Sequence, residues 1–218
     1  PLILVILLFL FYPVSEVRIT GRSSLRLFSK ENNIIRQFAD NELRSYSIWQ
    51  NFNEYPEYIK TIILKAEDKR FFYHPGFDPI AIFRSIWLNI SQGKIISGGS
   101  TITQQLVRIA YKDKLPKNPY LRKFFEILYS IRLECNFSKT HILEAYINRI
   151  PLKFNQTGFA SASKRIFKKD AKFLTKQEII ALAVLIRNLE TKKPLFIKRF
   201  NNLWKLLYKK SVTIEPCI

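Results

Sequence analysis

The chain has 218 residues and a formal net charge of +19, and 47% of its residues are hydrophobic. That length suits one large domain, or a domain with an anchor. The apolar content excludes a disordered basic tail, and the charge asks for a polyanionic partner: nucleic acid, an anionic lipid surface or a phosphorylated substrate.

Residues 2–12 read LILVILLFLFY, an apolar run. A full membrane span takes roughly 20 such residues, so this is about half of one. Methionine is absent from the sequence. We therefore expect it to begin inside a longer chain, with residues 1–14 the end of a transmembrane anchor. A signal-peptide core or a buried strand would read similarly. Arg18, Arg22, Arg26 and Lys30 follow, which by the positive-inside tendency points the domain toward the cytoplasm. Residues 15–55 are mixed and weakly periodic, a connector with some short structure.

Ile59, Ile62, Ile63 and Ala66 recur at helical spacing and predict a helix from Pro56. Glu67 follows Ile63 by four residues, so its carboxylate is expected on the core-facing stripe. Poor solvation there makes a carboxyl hold its proton more tightly, which suits a general acid or base near neutral pH. A plainer alternative is a fraying helix end, with Glu67 and Asp68 paired to Lys69 or Arg70. Asp78-Pro79 reads as a helix cap followed by proline in the first turn. Ile80, Phe83, Trp87 and Ile90 mark a helix over 79–91, and residues 95–101 form a loop. Ile102, Leu106, Ile109 and Ala110 carry the next helix. Asn118-Pro119 caps another, with Phe124, Leu128, Ile131 and Cys135 at helical spacing, so the Cys135 thiol is expected buried. Ser138 opens a helix that Pro151 stops. Residues 152–173 are basic and irregular. Thr175 and Glu178 form a capping box before the apolar run 179–186. Phe196, Phe200, Leu203 and Leu207 mark an amphipathic, lysine-rich terminal helix. No alternating strand pattern is convincing, so the expected class is all-α.

Two further stretches carry chemical potential. Residues 98–108 read GGSTITQQLVR, a glycine turn leading into a helix start, where backbone N–H groups attract anions. Gln104 and Arg108 lie four apart and are expected to share a face with that loop. Arg122, Lys123 and Glu126 offer a cation pair for phosphates with a carboxylate to hold the arginine. An ordinary capped helix and a surface ion pair are the plain alternatives.

In order and wording these stretches resemble the peptidoglycan glycosyltransferases of glycosyltransferase family 51, the transglycosylase module of penicillin-binding proteins. The pattern E-D-x-x-F-x-x-H-x-G-x-D is met by Glu67, Asp68, Phe71, His74, Gly76 and Asp78. G-G-S-T-I-T-Q-Q-L is met letter for letter by residues 98–106, R-K-x-x-E by Arg122, Lys123 and Glu126, and I-L-E-x-Y-[LI]-N by Ile142 to Asn148. An arginine-led final helix is loosely matched from Arg199.

The resemblance implies a lysozyme-like helical domain over 56–210 with a smaller membrane-associated lobe, then a tail over 211–218. It implies polymerisation of lipid II into glycan strands by inverting glycosyl transfer, with undecaprenyl pyrophosphate leaving. Glu67 would be the base and Glu126 would organise the donor site. Arg108, Arg122, Lys123 and Arg199 would hold the phosphates, with Asp68, His74, Ser100, Thr101, Gln104, Gln105 and Asn148 completing the substrate set. No cofactor is required, although a divalent ion, Mg2+ or Mn2+, is an option at the pyrophosphate. The implied partners are lipid II, the growing glycan, membrane lipids and other cell-wall synthesis proteins, and no nucleic acid. The resemblance also turns the domain to the outer, periplasmic face of the cytoplasmic membrane, against the arginine count, on a single-pass anchor. Competing readings are a lysozyme-like cell-wall-cleaving enzyme and an inactive, membrane-tethered polyanion-binding protein. The chain departs from the family in four places: Arg108-Ile109 replaces Lys-Asn, Lys153 stands where the family has glycine, Phe167-Lys168-Lys169 replaces F-G-K, and the Pro-rich turn expected after the core helix is blurred at Arg187–Lys193.

Overall fold

The computed structural model describes residues 8–21, 24–28, 30, 34–39, 45–93, 99–187 and 192–209. Most of the expected anchor core (residues 1–7), the start of the glycine turn through Gly98 and the expected tail lie outside the described residues. In chain order the elements are α1 (Glu16–Thr20), β1 (Arg26–Phe28), β2 (Ile34–Gln37), β3 (Tyr46–Ser47), α2 (Tyr58–Glu67), α3 (Pro79–Ser91), α4 (Ile102–Ala110) and α5 (Pro119–Asn136). There follow α6 (Lys139–Arg149), β4 (Pro151–Leu152), β5 (Gln156–Thr157), α7 (Phe159–Ala162), α8 (Lys176–Arg187) and α9 (Lys193–Tyr208). Helix dominates, as expected. Among the described residues no helix is long and apolar enough to cross a membrane.

The all-α expectation needs one correction. β1 and β2 pair antiparallel, and β3 pairs parallel with β5, which pairs antiparallel with β4. These strands have two to four residues, too few for an alternating pattern to stand out.

The chain forms two compact units. The first comprises Pro1–Gly21 and Arg70–Tyr146. Here α4 packs on α5, burying Ile102, Leu106, Val107 and Leu133. Each such side chain contributes roughly 1.5–3 kcal/mol. Tyr111 stacks on Tyr129 with ring centroids 4.4 Å apart. Residues 8–14 dock on α5: Asn136 Nδ2 donates to the Leu10 carbonyl at 3.2 Å, and its Oδ1 accepts from the Val14 amide at 3.1 Å. Asp78 caps α3 by accepting from the Ala81 amide, and Arg70 pairs with the same carboxylate. Asn118 caps α5 through the Tyr120 and Leu121 amides. The stripe Ile80, Phe83, Trp87 and Ile90 does not enter the core; these side chains are 61–76% exposed.

Cys135 is also exposed, contrary to expectation. The buried line of α5 runs through Glu126, Ser130 and Leu133, while Phe124 is exposed. A buried carboxylate and hydroxyl on the inner face rotate the true stripe away from the one that apolar spacing marks.

The second unit comprises Arg22–Lys69 and Ile147–Ile218. Here α8 packs against α2 and α9, burying Ile59, Ile62 and Ile63 with Ile179, Ile180, Leu182 and Phe200. The expected capping box holds: Glu178 accepts from the Thr175 amide at 2.7 Å, and Thr175 Oγ1 accepts from the Glu178 amide at 3.3 Å. Residues 152–173 are more ordered than their composition promised. They form β4, β5, α7, a π-helical turn at Ser163–Phe167 and a 3-10 turn at Ala171–Phe173.

Candidate active site

The sequence candidates fall into two groups, one in each unit. The first is built where α4 and α5 meet. Thr101 caps α4, with its Oγ1 accepting from the Gln104 amide at 3.1 Å and its own amide donating to Gln104 Oε1 at 3.4 Å. This box turns the Gln104 side chain inward. It is fully buried instead of sharing an open face with the loop. Lys123 Nζ donates to Gln104 Oε1 at 2.7 Å and to Ser100 Oγ at 3.0 Å. Among the described residues, the buried Gln104 Nε2 has no hydrogen-bond partner.

Glu126 is the centre of this group and is 1% exposed. Arg108 donates to it from Nε at 2.8 Å and from Nη2 at 3.0 Å, a fork geometry that fixes both groups. Lys123 Nζ stands 3.5 Å from Oε2, and Arg122 Nε stands 4.0 Å from Oε1. The expected Arg122–Glu126 pair is therefore the longest contact, and Arg108 is the true partner. Helix spacing points to Arg122, whereas the Arg108 fork depends on how α4 crosses α5.

Burial pushes the Glu126 carboxyl up, but the Arg108 fork and Lys123 outweigh it and hold the group below the usual carboxylate range. The hydrogen bond to Glu126 raises Arg108, while burial pushes Lys123 down. Arg108 spends two of its five N–H donors on Glu126, so donors remain for an anion. A divalent ion does not fit this set: three cations surround one carboxylate, whereas Mg2+ and Mn2+ want several oxygen ligands. Among the described residues no cluster of three metal-binding side chains occurs.

The second group surrounds Glu67. This residue ends α2, and the chain turns sharply at Asp68 (φ −153°, ψ 86°). Glu67 is half-buried and does not enter the core below Ile63 as expected. It lines a cavity of about 320 Å³ with Lys65, Lys69, Arg199, Leu203 and Leu206. The helix stops at Glu67, so its side chain stands at the rim of the α2–α8–α9 packing instead of inside it. Lys69 near Glu67 belongs to the plainer reading of a helix end, whereas Lys65 was not foreseen. Positions two apart on a helix do not share a face; Lys65 reaches the cavity from the last turn of α2, and Lys69 from beyond the turn at Asp68.

The remaining candidates are more structural than expected. Asn148 is buried, with Oδ1 accepting from the Gln50 amide at 3.0 Å and Tyr55 Oη at 3.3 Å, and Nδ2 donating to the Gln50 carbonyl at 2.9 Å. Its amide holds the chain ahead of α2 and is not offered to a substrate. Gln105 Oε1 accepts from Tyr146 Oη at 3.0 Å. His74 and Asp68 are both buried, and the His74 ring stands edge-on to Phe71 at 6.2 Å.

Comparison with known proteins agrees with the motifs. The transglycosylase family model matches residues 31–210. Penicillin-binding protein 1A of Vibrio cholerae is 32% identical over 198 residues, covering 88% of this chain and 23% of the relative. Penicillin-binding protein 1A of Neisseria cinerea is 35% identical over 161 residues, covering 74% of this chain and 19% of the relative. Penicillin-binding protein 4 of Bacillus subtilis is 34% identical over 163 residues, covering 74% of this chain and 25% of the relative. The chain thus spans about a quarter or less of the length of these relatives.

Proposed function

Because the chain belongs to the transglycosylase family, the peptidoglycan glycosyltransferases, we propose that it polymerises lipid II into glycan strands. In this reading Glu67 takes the proton from the acceptor sugar hydroxyl. The freed oxygen attacks the donor's anomeric carbon, and the bond to pyrophosphate breaks with inversion. The leaving undecaprenyl pyrophosphate carries the electron pair and gives its charge to Arg108, Arg122 and Lys123. Arg199, beside Glu67, adds a further cation. Stabilising a leaving group with fixed charges is usually a large catalytic contribution.

The observation that carries this reading is the buried Glu126 with three cations gathered around it. A lysozyme-like hydrolase has no use for such an assembly, since its substrate carries no pyrophosphate. Glu126 stays ionised and serves to aim the guanidinium of Arg108, not to move a proton. No step runs through a metal.

Membrane attachment follows from the substrate, whose donor and acceptor both carry lipid tails. The exposed stripe Ile80, Phe83, Trp87 and Ile90 suits contact with acyl chains. Each lysine or arginine near an anionic leaflet adds roughly 1 kcal/mol of attraction. We place the catalytic domain, residues 56–210, on the outer face of the cytoplasmic membrane. The test is a polymerisation assay on lipid II in detergent or vesicles, comparing wild type with Glu67→Gln. Glycan products from the wild type alone support the reading. Fragments released from purified cell wall, with lipid II left untouched, would replace it with the hydrolase.

A further inference from the structure

One part-buried charged pair in the first unit has no part in the chemistry above. Lys139 Nζ donates to Glu134 Oε1 at 2.8 Å and to the His74 carbonyl at 2.6 Å. It also lies 4.5 Å from the centroid of the buried Phe71 ring. Glu134 Oε1 in turn accepts from Thr103 Oγ1 at 2.6 Å. The Glu134 side chain is 9% exposed, and Thr103 is fully buried.

Lys139 is the first residue of α6, where the positive end of the helix dipole disfavours a cation. Helix formation therefore does not explain it. Its contacts do, because they run to two places that matter. One is the loop 70–78, which follows Glu67 in the chain. That loop is held at two carbonyls, His74 by Lys139 and Gly76 by Thr101 Oγ1 at 2.7 Å. The other is the first turn of α4. Thr103 precedes Gln104, whose Oε1 receives Lys123.

We propose that Lys139 is a positioning residue for the glycosyl transfer. Through Glu134 and Thr103 it fixes the rotation of the first turn of α4, and with it the Ser100–Gln104–Lys123 contacts that meet the pyrophosphate. Through the His74 carbonyl it fixes the loop leaving Glu67. Neutralising it strands Glu134 beside Thr103 and frees one carbonyl of the loop. This inference rests on the lipid II reading above, and its test separates the two.

The full chain is prepared as wild type, Lys139→Met, Lys139→Arg and Thr103→Val. Binding of inorganic pyrophosphate is followed by calorimetry, backbone exchange by mass spectrometry, and turnover with lipid II. Lys139→Met keeps the length and loses the charge. Its pyrophosphate Kd should rise about tenfold at unchanged stoichiometry, and exchange at residues 74–76 and 101–104 should quicken. A merely structural role would lower the stoichiometry and leave the Kd alone. Lys139→Arg should recover most of the affinity. Thr103→Val cuts only the link to α4; it should raise the Kd about threefold and leaves the proposal testable if Lys139→Met does not fold. Wild-type affinity and wild-type exchange in Lys139→Met and in Thr103→Val overturn this proposal and leave the lipid II reading standing. A wild type that neither binds pyrophosphate nor turns over lipid II overturns that reading, and this proposal with it.

Discussion

Glu126 is almost fully buried and gripped by Arg108 from two nitrogens, whereas Glu67 is half-buried at the end of α2 and lines a cavity with Lys65, Lys69 and Arg199. Both are glutamates among cations. The difference is in what their oxygens are free to do. A carboxylate locked in a fork, with its pKa held low, is a poor proton acceptor. Its use is to hold cations in place. A base needs room for the substrate hydroxyl within hydrogen-bond reach, and a cavity beside Glu67 offers that room.

The sharpest way to break this contrast is to neutralise each carboxylate without changing its shape. Glu67→Gln should lower lipid II polymerisation by about a thousandfold, within the range for losing a general base, while the melting temperature stays near that of wild type. Loss of turnover together with a large loss of stability would mean that Glu67 is a structural group and that the contrast is false.

Glu126→Gln should act on both properties. Turnover should fall by about a hundredfold, as for a lost element of electrostatic stabilisation. Stability should drop by about 1–3 kcal/mol, because Arg108 and Lys123 lose their partner but are half-exposed and screened. The pH dependence has a definite sign. The carboxyl's pKa is lower in the folded chain than its ordinary 4.5. Its ion pairs therefore stabilise the fold above that value, and the benefit is lost as pH falls through the folded pKa. Urea midpoints should show wild type and Glu126→Gln far apart at neutral pH and converging in acid.

The backbone under the first group gives an effect read in stability alone. Gly76 has φ +89°, and a Cβ there would lie 2.7 Å from the Ser130 carbonyl oxygen. Gly76→Ala must shift either the loop or α5 and should cost about 2–3 kcal/mol. Denaturant unfolding measures it. A cost below 1 kcal/mol would show that the loop is not pressed against α5 in solution.

How far the sequence carried these points depended on whether each feature is local. The caps at Asp78, Asn118 and Thr175 were legible because a cap is made within four residues. The buried faces of α2 and α8 were legible because apolar side chains fill them. The face of α5 was misjudged because Glu126 and Ser130 occupy it. The Arg108 fork and the Lys139–Glu134–Thr103 chain join residues 18 and 31 positions apart, and no periodicity encodes such meetings. Motif resemblance named residues that the first group brings together, without saying which of them touch. For Asn148 it suggested a substrate contact where the side chain instead braces Gln50 and Tyr55.

The smallest effect belongs to the second unit and to a glycine that the family pattern has and this chain lacks. Lys168 closes the π-helical turn Ser163–Phe167 at φ 59°, ψ 28°, the left-handed region. Ser163 Oγ, donating to the Lys169 carbonyl at 2.8 Å, ties the turn to the residue that follows. The conformation that glycine would take is therefore kept by a lysine, at a cost of about 1–2 kcal/mol for a side chain in that region. Lys168→Gly relieves this strain but gives the unfolded chain more freedom, which offsets about 0.5–1 kcal/mol. The net gain should be about 0.5–1 kcal/mol, seen as a rise of roughly 1–4 °C in Tm. The sign is what matters. A fall in Tm would mean that the lysine side chain contributes something the backbone does not reveal, and that the missing glycine is a replacement with its own purpose and not a tolerated strain.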